Sequence, residues 1–210
     1  MQVIALSHPL AGLLLTTLRV EATEPAEFRR AISALSSLLF IEASKNLTTS
    51  VIEVRTPLET TIGAYLERQV VLVPILRAAL TMIEGIWQIV PDAIVQHIGV
   101  KRNEETLLPM PYYSNIDKRI TNANVFILDP MLATGGTLGY AIEVVSKLKP
   151  ASIQILSVIS APEGIEKLSQ TEETIGFPIS LYTACIDREL DDKGYILPGL
   201  GDAGDRAFGT

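Results

Sequence analysis

One cysteine, two histidines and one tryptophan in 210 residues leave little from which to build a metal centre or a thiol-based site. Cys185 has no partner for an internal disulfide, which suits a reducing compartment, and its neighbours Leu181, Tyr182, Ala184 and Ile186 mark it as a buried structural thiol. His8 and His97 stand in no metal-ligand spacing with each other or with Cys185, so no zinc site is expected. Positive charge is also short: 17 basic against 24 acidic side chains give a net charge of −7, with no Lys/Arg cluster. That argues against the basic stripe of a protein that coats nucleic acid. No apolar run approaches the ~20 residues a membrane-spanning helix needs. The stretch Met1–Pro9 carries none of the positive charge that opens a secretory signal. The expectation is a soluble, cytoplasmic protein with no membrane and no nucleic-acid partner.

What the chain does have is apolar mass. Nearly half of its residues are apolar (48%) and only 20% charged, so it can bury a substantial core, and its length suits one domain. Thr23-Glu24-Pro25 opens a helix with proline in its first turn. Phe28, Ile32, Leu35 and Leu39 continue it as one apolar stripe, fit to cap the core or to meet a second subunit. Residues 51–54 read as a short strand. Beyond Pro57, apolar strands at 70–76, 93–100, 125–129, 153–159 and 180–186 alternate with helices at 79–89, 137–148 and 163–168. That rhythm predicts an α/β fold with a parallel sheet covered on both faces. Two stretches break it: residues 101–121, polar with two prolines and a Tyr pair, read as an exposed β-arm or flap, and residues 193–210 carry five glycines.

The chemistry concentrates in Phe126-Ile127-Leu128-Asp129-Pro130-Met131-Leu132-Ala133-Thr134-Gly135-Gly136-Thr137. An apolar strand ends in an acid, and a small, hydroxyl-bearing Gly-Gly turn leads into a helix. Backbone N–H groups at a helix N-terminus, where the partial charge is roughly +0.5, hold phosphate. The acid upstream lies within reach of hydroxyls on whatever carries that phosphate. This segment is neither a Walker loop nor a Gly-x-Gly-x-x-Gly fingerprint. Arg77 ends a strand with no other charge, so its guanidinium emerges at the carboxyl edge of the sheet, suited to forked contact with phosphate oxygens.

The order of that segment resembles the phosphoribosyl-pyrophosphate (PRPP) motif of type I phosphoribosyltransferases. Most of the class carry two adjacent acids; Asp129 followed by Pro130 narrows the resemblance to the uracil phosphoribosyltransferases, whose motif reads Asp-Pro-Met-Leu-Ala-Thr-Gly-Gly. Four further segments match, namely Val73–Ala78, Arg102–Leu107, Ala161–Ile165 and the loop from Gly194 through Tyr195 and Gly201 to Arg206, as does His8-Pro9-Leu10. The resemblance covers essentially the whole chain. It implies a single domain over 1–210 with the type I phosphoribosyltransferase fold: an N-terminal helix, a protruding β-arm about 101–121 and a base-recognition loop about 194–206.

By that resemblance the chain is a glycosyltransferase of pyrimidine salvage that makes UMP and pyrophosphate from uracil and PRPP, with Mg²⁺ as cofactor. Arg77, Asp129 and Asp202 are the implied catalytic residues. PRPP is held by Arg77, Arg102, Asp129 and Asp202 together with Pro130, Met131, Leu132, Ala133, Thr134, Gly135, Gly136 and Thr137. Uracil is read by Tyr195, Ile196, Gly201, Asp202 and Ala203. Mg²⁺ rides mainly on PRPP, with Asp202 as its one candidate protein contact. A non-proline cis peptide is expected near Leu76–Arg77, and Asp205 with Arg206 is expected to form a local ion pair that holds the loop. Homodimers or homotetramers are implied, with GTP as a candidate effector.

Two rivals stand beside this reading. One is a phosphoribosyltransferase for another base, which the 195–206 loop disfavours. The other is a PRPP-binding, RNA-binding regulator of pyrimidine genes on the same fold, which would need a basic face this acidic chain lacks. Ala79-Leu80-Thr81-Met82 departs from the family's Gly-Leu-Gly-Met.

Overall fold

Seven consecutive apolar residues, Val70–Leu76, cannot present a solvent face, so the sheet that contains them needs cover on both sides. In the computed structural model, which describes residues 1–102 and 109–210 (Arg102 by its backbone alone), it has that cover. The Glu104-Glu105 part of the expected arm lies outside the described residues. The first half of the chain runs β1 (Gln2–Ala5), α1 (Pro9–Arg19), α2 (Pro25–Ala43), β2 (Thr49–Arg55), β3 (Thr60–Leu66), β4 (Val70–Leu76), α3 (Leu80–Trp87), β5 (Ile94–Val95), β6 (Ile98–Arg102) and β7 (Pro109–Ser114). The second half runs β8 (Asn124–Leu128), β9 (Met131–Leu132), α4 (Gly136–Ser146), β10 (Ser152–Ser160), α5 (Pro162–Ile175), β11 (Ile179–Ile186), β12 (Glu189–Leu190), β13 (Ile196–Leu197) and α6 (Ala203–Phe208).

The main sheet has the order β1-β11-β10-β8-β4-β6-β7, with β5 beside β4 and β9 beside β10. Its pairs are parallel except β6–β7. Side chains alternate between its two faces. Leu72, Phe126, Leu128 and Leu156 pack with α1, α2 and α3, whereas Val71, Val73, Val125, Ile127 and Ile155 pack with α4 and α5. Phe40 of α2 meets Phe126 with ring centroids 4.8 Å apart.

This topology fixes where a ligand can bind. From β4 the chain crosses through α3 to β6 on one side; from β8 it crosses through α4 to β10 on the other. The neighbours β4 and β8 thus form the switch point of the sheet, where a crevice opens beyond the carboxyl ends of the strands. Leu76–Arg77 and Leu128–Asp129 stand at those two ends.

Several elements differ from the sequence expectation. β1 and α1 precede the first expected helix, and α1 starts at Pro9, capped by the His8 side chain accepting from the Leu10 N–H. The Phe28, Ile32, Leu35 and Leu39 stripe is fully buried against the chain's own sheet, so it is not a surface for a second subunit. β2 has a partner, β3, and the pair forms a separate two-stranded sheet with Val51, Leu58 and Ile62 exposed. α5 runs on to Ile175 because Leu168 and Thr171 continue its buried face.

Candidate active site

Asp129 follows the last residue of β8. Its N–H donates to the Leu156 carbonyl (3.1 Å) and its Oδ1 accepts the Met131 N–H (3.2 Å). One edge of the residue opens on the cleft, but the carboxyl is enclosed enough that burial pushes its pKa up to about 7 against the one opposing N–H. Among the described residues no cation pairs with it. A carboxylate so placed is short of donors and suits hydroxyl groups of a ligand.

The loop after Asp129 is tied down from behind. The Pro130 carbonyl accepts from Val158 and Ile159 N–H groups (3.0 and 3.1 Å), the Leu132 N–H donates to Ser157 Oγ (3.1 Å), and the Ala161 N–H donates to the Leu132 carbonyl (2.8 Å). Gly135 caps α4 in the left-handed region, at φ 78°, where glycine alone sits without strain. The first N–H groups of α4, which starts at the cleft, have no carbonyl a turn earlier to receive them.

Gly164 of α5 explains why the Ala161–Ile165 segment belongs with this loop. A Cβ on Gly164 would lie 2.3 Å from the Ala133 carbonyl oxygen and 2.8 Å from Leu132 Cδ1, and one on Gly135 would lie 2.9 Å from the Gly164 carbonyl oxygen. Helix and loop touch backbone to backbone. One residue earlier, Glu163 accepts the Leu190 N–H of β12 (2.9 Å) and so ties the same helix to the C-terminal loop. Glu163→Gln, which keeps an acceptor but no charge, should raise the KM for the base about threefold or less, and Glu163→Ala more than that, on the scale of one exposed hydrogen bond. Steady-state kinetics would check it.

Arg77 leaves β4 through a cis Leu76–Arg77 peptide, the one expected there. Its Nη2 lies 3.5 Å from Asp205 Oδ1, and its guanidinium lies 5.9 Å from the Phe208 ring, both on α6. More than half exposed, it is loosely held and close to the cleft. The expected Asp205–Arg206 pair does not form. Arg206 donates instead to carbonyls at the end of α1, Leu18 and Val20, and to that of Leu200 (2.8 Å), while stacking 4.5 Å from the Phe28 ring. Neighbouring residues on a helix point in different directions, which sends Asp205 to Arg77 and Arg206 to α1. Ala79 takes ordinary right-handed dihedrals (φ −69°), so nothing there requires the family's glycine.

The C-terminal loop forms the far wall. Asp191 Oδ1 accepts the Lys193 and Tyr195 N–H groups (2.9 and 2.8 Å). Asp202 caps α6 by accepting the Asp205 N–H (2.9 Å). Gly199 and Gly201 have φ 65° and 77°.

One cleft of about 240 Å³ joins these parts. Of the expected residues, Arg77, Asp129, Met131, Leu132, Ala133, Thr134, Gly135, Thr137, Tyr195, Gly201 and Asp202 line it. Pro130, Gly136, Ile196 and Ala203 do not; Ile196 and Ala203 bury their side chains in the core, leaving only their backbone for a ligand. The Arg102 side chain lies outside the described residues. Gly194, the first residue of the expected base-recognition loop, lines the cleft too, and Val100 and Leu138 do so without having been foreseen. Among the described residues no group of three or more His, Cys, Asp or Glu could hold a metal ion alone. Asp202 in the cleft wall fits a cation that arrives on a phosphate ligand, as phosphoribosyltransferases of this fold generally use Mg²⁺ with PRPP.

Comparison with known proteins agrees with this geometry. A family model described as uracil phosphoribosyltransferase matches residues 5–210. A uracil phosphoribosyltransferase of Dictyoglomus turgidum is 46% identical over 99% of both chains, and one of Malacoplasma penetrans 41% identical over 97% of both. A solved protein of Aquifex aeolicus superposes with TM-score 0.92 at 40% identity, covering 99% of this chain and 98% of its own. A hypoxanthine phosphoribosyltransferase of Staphylococcus aureus, at TM-score 0.50 and 16% identity over 77% of this chain and 76% of its own, shares the fold. The chain belongs to the uracil phosphoribosyltransferase family.

Proposed function

We propose that this chain salvages uracil, transferring the 5-phosphoribosyl group of PRPP to uracil N1 to give UMP and pyrophosphate. The single observation that carries the reading is the cleft in which the phosphate loop, Asp129, Arg77 and the Tyr195–Asp202 wall meet, in a chain of this family. The 5′-phosphate sits on the N–H groups of residues 133–137 at the start of α4. Asp129, ionised, accepts the ribose hydroxyls. Arg77 leaves its loose contact with Asp205 for the pyrophosphate, and Arg102 is a second cation for PRPP. Uracil lies against the Tyr195–Ala203 backbone, whose N–H and C=O groups match O2, O4 and N3. As the C1–O bond to pyrophosphate lengthens, positive charge develops at C1 and the leaving oxygens gain negative charge, which the guanidinium of Arg77 stabilises. Uracil N1 then attacks from the opposite face and gives up its proton to solvent or to the oxygens of the departing pyrophosphate, which carries away the electron pair of the broken C1–O bond. Catalysis is positioning and electrostatics with no covalent enzyme intermediate. Asp202 would be the protein's contact for a Mg²⁺ arriving with PRPP, which would supply further charge neutralisation on the pyrophosphate.

Purified protein with uracil, PRPP and Mg²⁺ should release UMP and pyrophosphate. Turnover of orotate or hypoxanthine without uracil would leave only the fold standing. Arg77→Ala should lower kcat/KM by about 10²-fold or more, the scale of losing one group that meets developing charge, while the melting temperature stays within about a degree because its contact with Asp205 is exposed and long. An RNA-binding role is disfavoured by the net charge of −7. Assembly into a homo-oligomer accords with the exposed apolar side chains of the β2–β3 hairpin, Val51, Leu58 and Ile62.

A further inference from the structure

Beside the cleft, outside its lining, lies a buried ion pair. Arg19, the last residue of α1, faces Asp187, the residue after β11, and forks onto it: Nη2 to Oδ1 at 2.5 Å and Nη1 to Oδ2 at 3.0 Å. The Asp187 side chain is only 3% exposed and that of Arg19 26%. The same two side chains hold both backbone groups of one residue in the C-terminal loop. The Gly199 N–H donates to Asp187 Oδ2 (2.9 Å), and Arg19 Nη1 donates to the Gly199 carbonyl (3.0 Å). Asp187 is itself fixed, its N–H donating to the Ser160 carbonyl (2.8 Å) and the Cys185 thiol lying 3.3 Å from Oδ1.

Gly199 is the tightest point of the loop. It has φ 65°, and a Cβ there would lie 2.1 Å from the Ile196 carbonyl oxygen. Two residues on is Gly201, and three on is Asp202, both in the cleft wall. The Gly199 backbone therefore sets the distance between the Ile196 strand and the Gly201–Ala203 turn. Those are the two pieces of main chain that the proposed function presents to the base.

We infer that the Arg19–Asp187 pair is a positioning device for base recognition: it clamps Gly199 so that the backbone donors and acceptors on either side are spaced for a pyrimidine ring. The inference rests on the uracil reading for the identity of the base, but the clamp itself does not. A fork onto a buried carboxylate that also satisfies a backbone N–H is rigid, because breaking any one contact leaves a buried charge or donor unpaired. Neither side chain touches substrate, and the phosphate loop is held separately through β10 and Gly164. The clamp thus acts on one substrate and not the other.

Two variants test it. Asp187→Asn keeps the shape and an acceptor but loses the charge; Arg19→Lys keeps the charge but not the fork. In each, the KM for uracil should rise about tenfold, on the scale of a lost charge-assisted hydrogen bond, while the KM for PRPP stays within about twofold. Hydrogen exchange of residues 196–203 should speed up in both variants and that of residues 129–137 should not. A rise of both KM values together, or unchanged exchange in 196–203, overturns the inference. A wild-type protein inactive on uracil removes the function reading instead, and exchange still decides the clamp.

Discussion

Asp129→Asn should all but abolish turnover and at the same time stabilise the protein at pH 8. The wild-type carboxyl is buried without a cation, and its pKa is pushed from 3.8 to about 7. A raised acid binds its proton more tightly in the folded chain than in the unfolded one. Stability is therefore lost as pH rises from about 4 to about 7, and the full cost is present above 7. Asparagine carries no charge at any pH and keeps an oxygen for the Met131 N–H. Relief on the order of a few kcal/mol corresponds to several degrees in melting temperature for a chain of this size. At pH 4 the advantage disappears. Activity moves the other way, because only the ionised oxygen accepts two ribose hydroxyls well: kcat/KM should fall by about 10²-fold or more. In the wild type the KM for PRPP should fall as pH rises through about 7, and in the variant it should be flat. Melting curves at pH 4 and 8, with kinetics across the range, check all of this. Equal melting temperatures at pH 8, or near-normal turnover, would refute the role given to this carboxyl.

The place of that carboxyl was legible in the sequence, since a lone acid ending an apolar strand has nowhere to go but the edge of the sheet; the cost of its burial was not. The strands were legible for the same reason: uniform apolar runs at 70–76 and 125–129 can only be buried on both faces. α1 was harder to see because Pro9–Arg19 exposes Leu10 and Leu13, which blurs the buried face formed by Ala11, Leu15 and Leu18. β3 was hidden because Thr60–Leu66 pairs only with β2, away from the core, and so carries no burial pattern.

At the site, the groups proposed to meet a ligand were easier to read than those that hold them. Asp129 and Arg77 announce themselves by charge in an apolar context. Arg19 and Asp187 meet across 168 positions, and nothing local marks either. Arg206 was misread because sequence adjacency to Asp205 suggests a pair that helix geometry forbids. In each case the missing information is tertiary: which distant backbone a side chain finds is set by packing and not by its neighbours in the chain.

Gly164 is the sharpest instance, and it carries the second large effect. In an exposed helix, glycine to alanine stabilises by about 1 kcal/mol, and Gly12→Ala in α1, with open space around it, should do so. Gly164→Ala should do the opposite. The new methyl would stand 2.3 Å from the Ala133 carbonyl oxygen and within 2.9 Å of Leu132 Cγ. The first of these is backbone, which cannot rotate aside, so α5 or the 132–135 loop must shift. α5 is held by its buried Leu168 and Thr171, whereas the loop is a turn whose far side is open cleft. The loop gives way, and the N–H groups at the start of α4 lose their common aim. The melting temperature should fall by several degrees, in line with overpacking costs of about 1–3 kcal/mol, and the KM for PRPP should rise tenfold or more while hydrogen exchange speeds up at 132–137. If Gly164→Ala behaves like Gly12→Ala, the backbone contact between α5 and the phosphate loop is not what shapes the site.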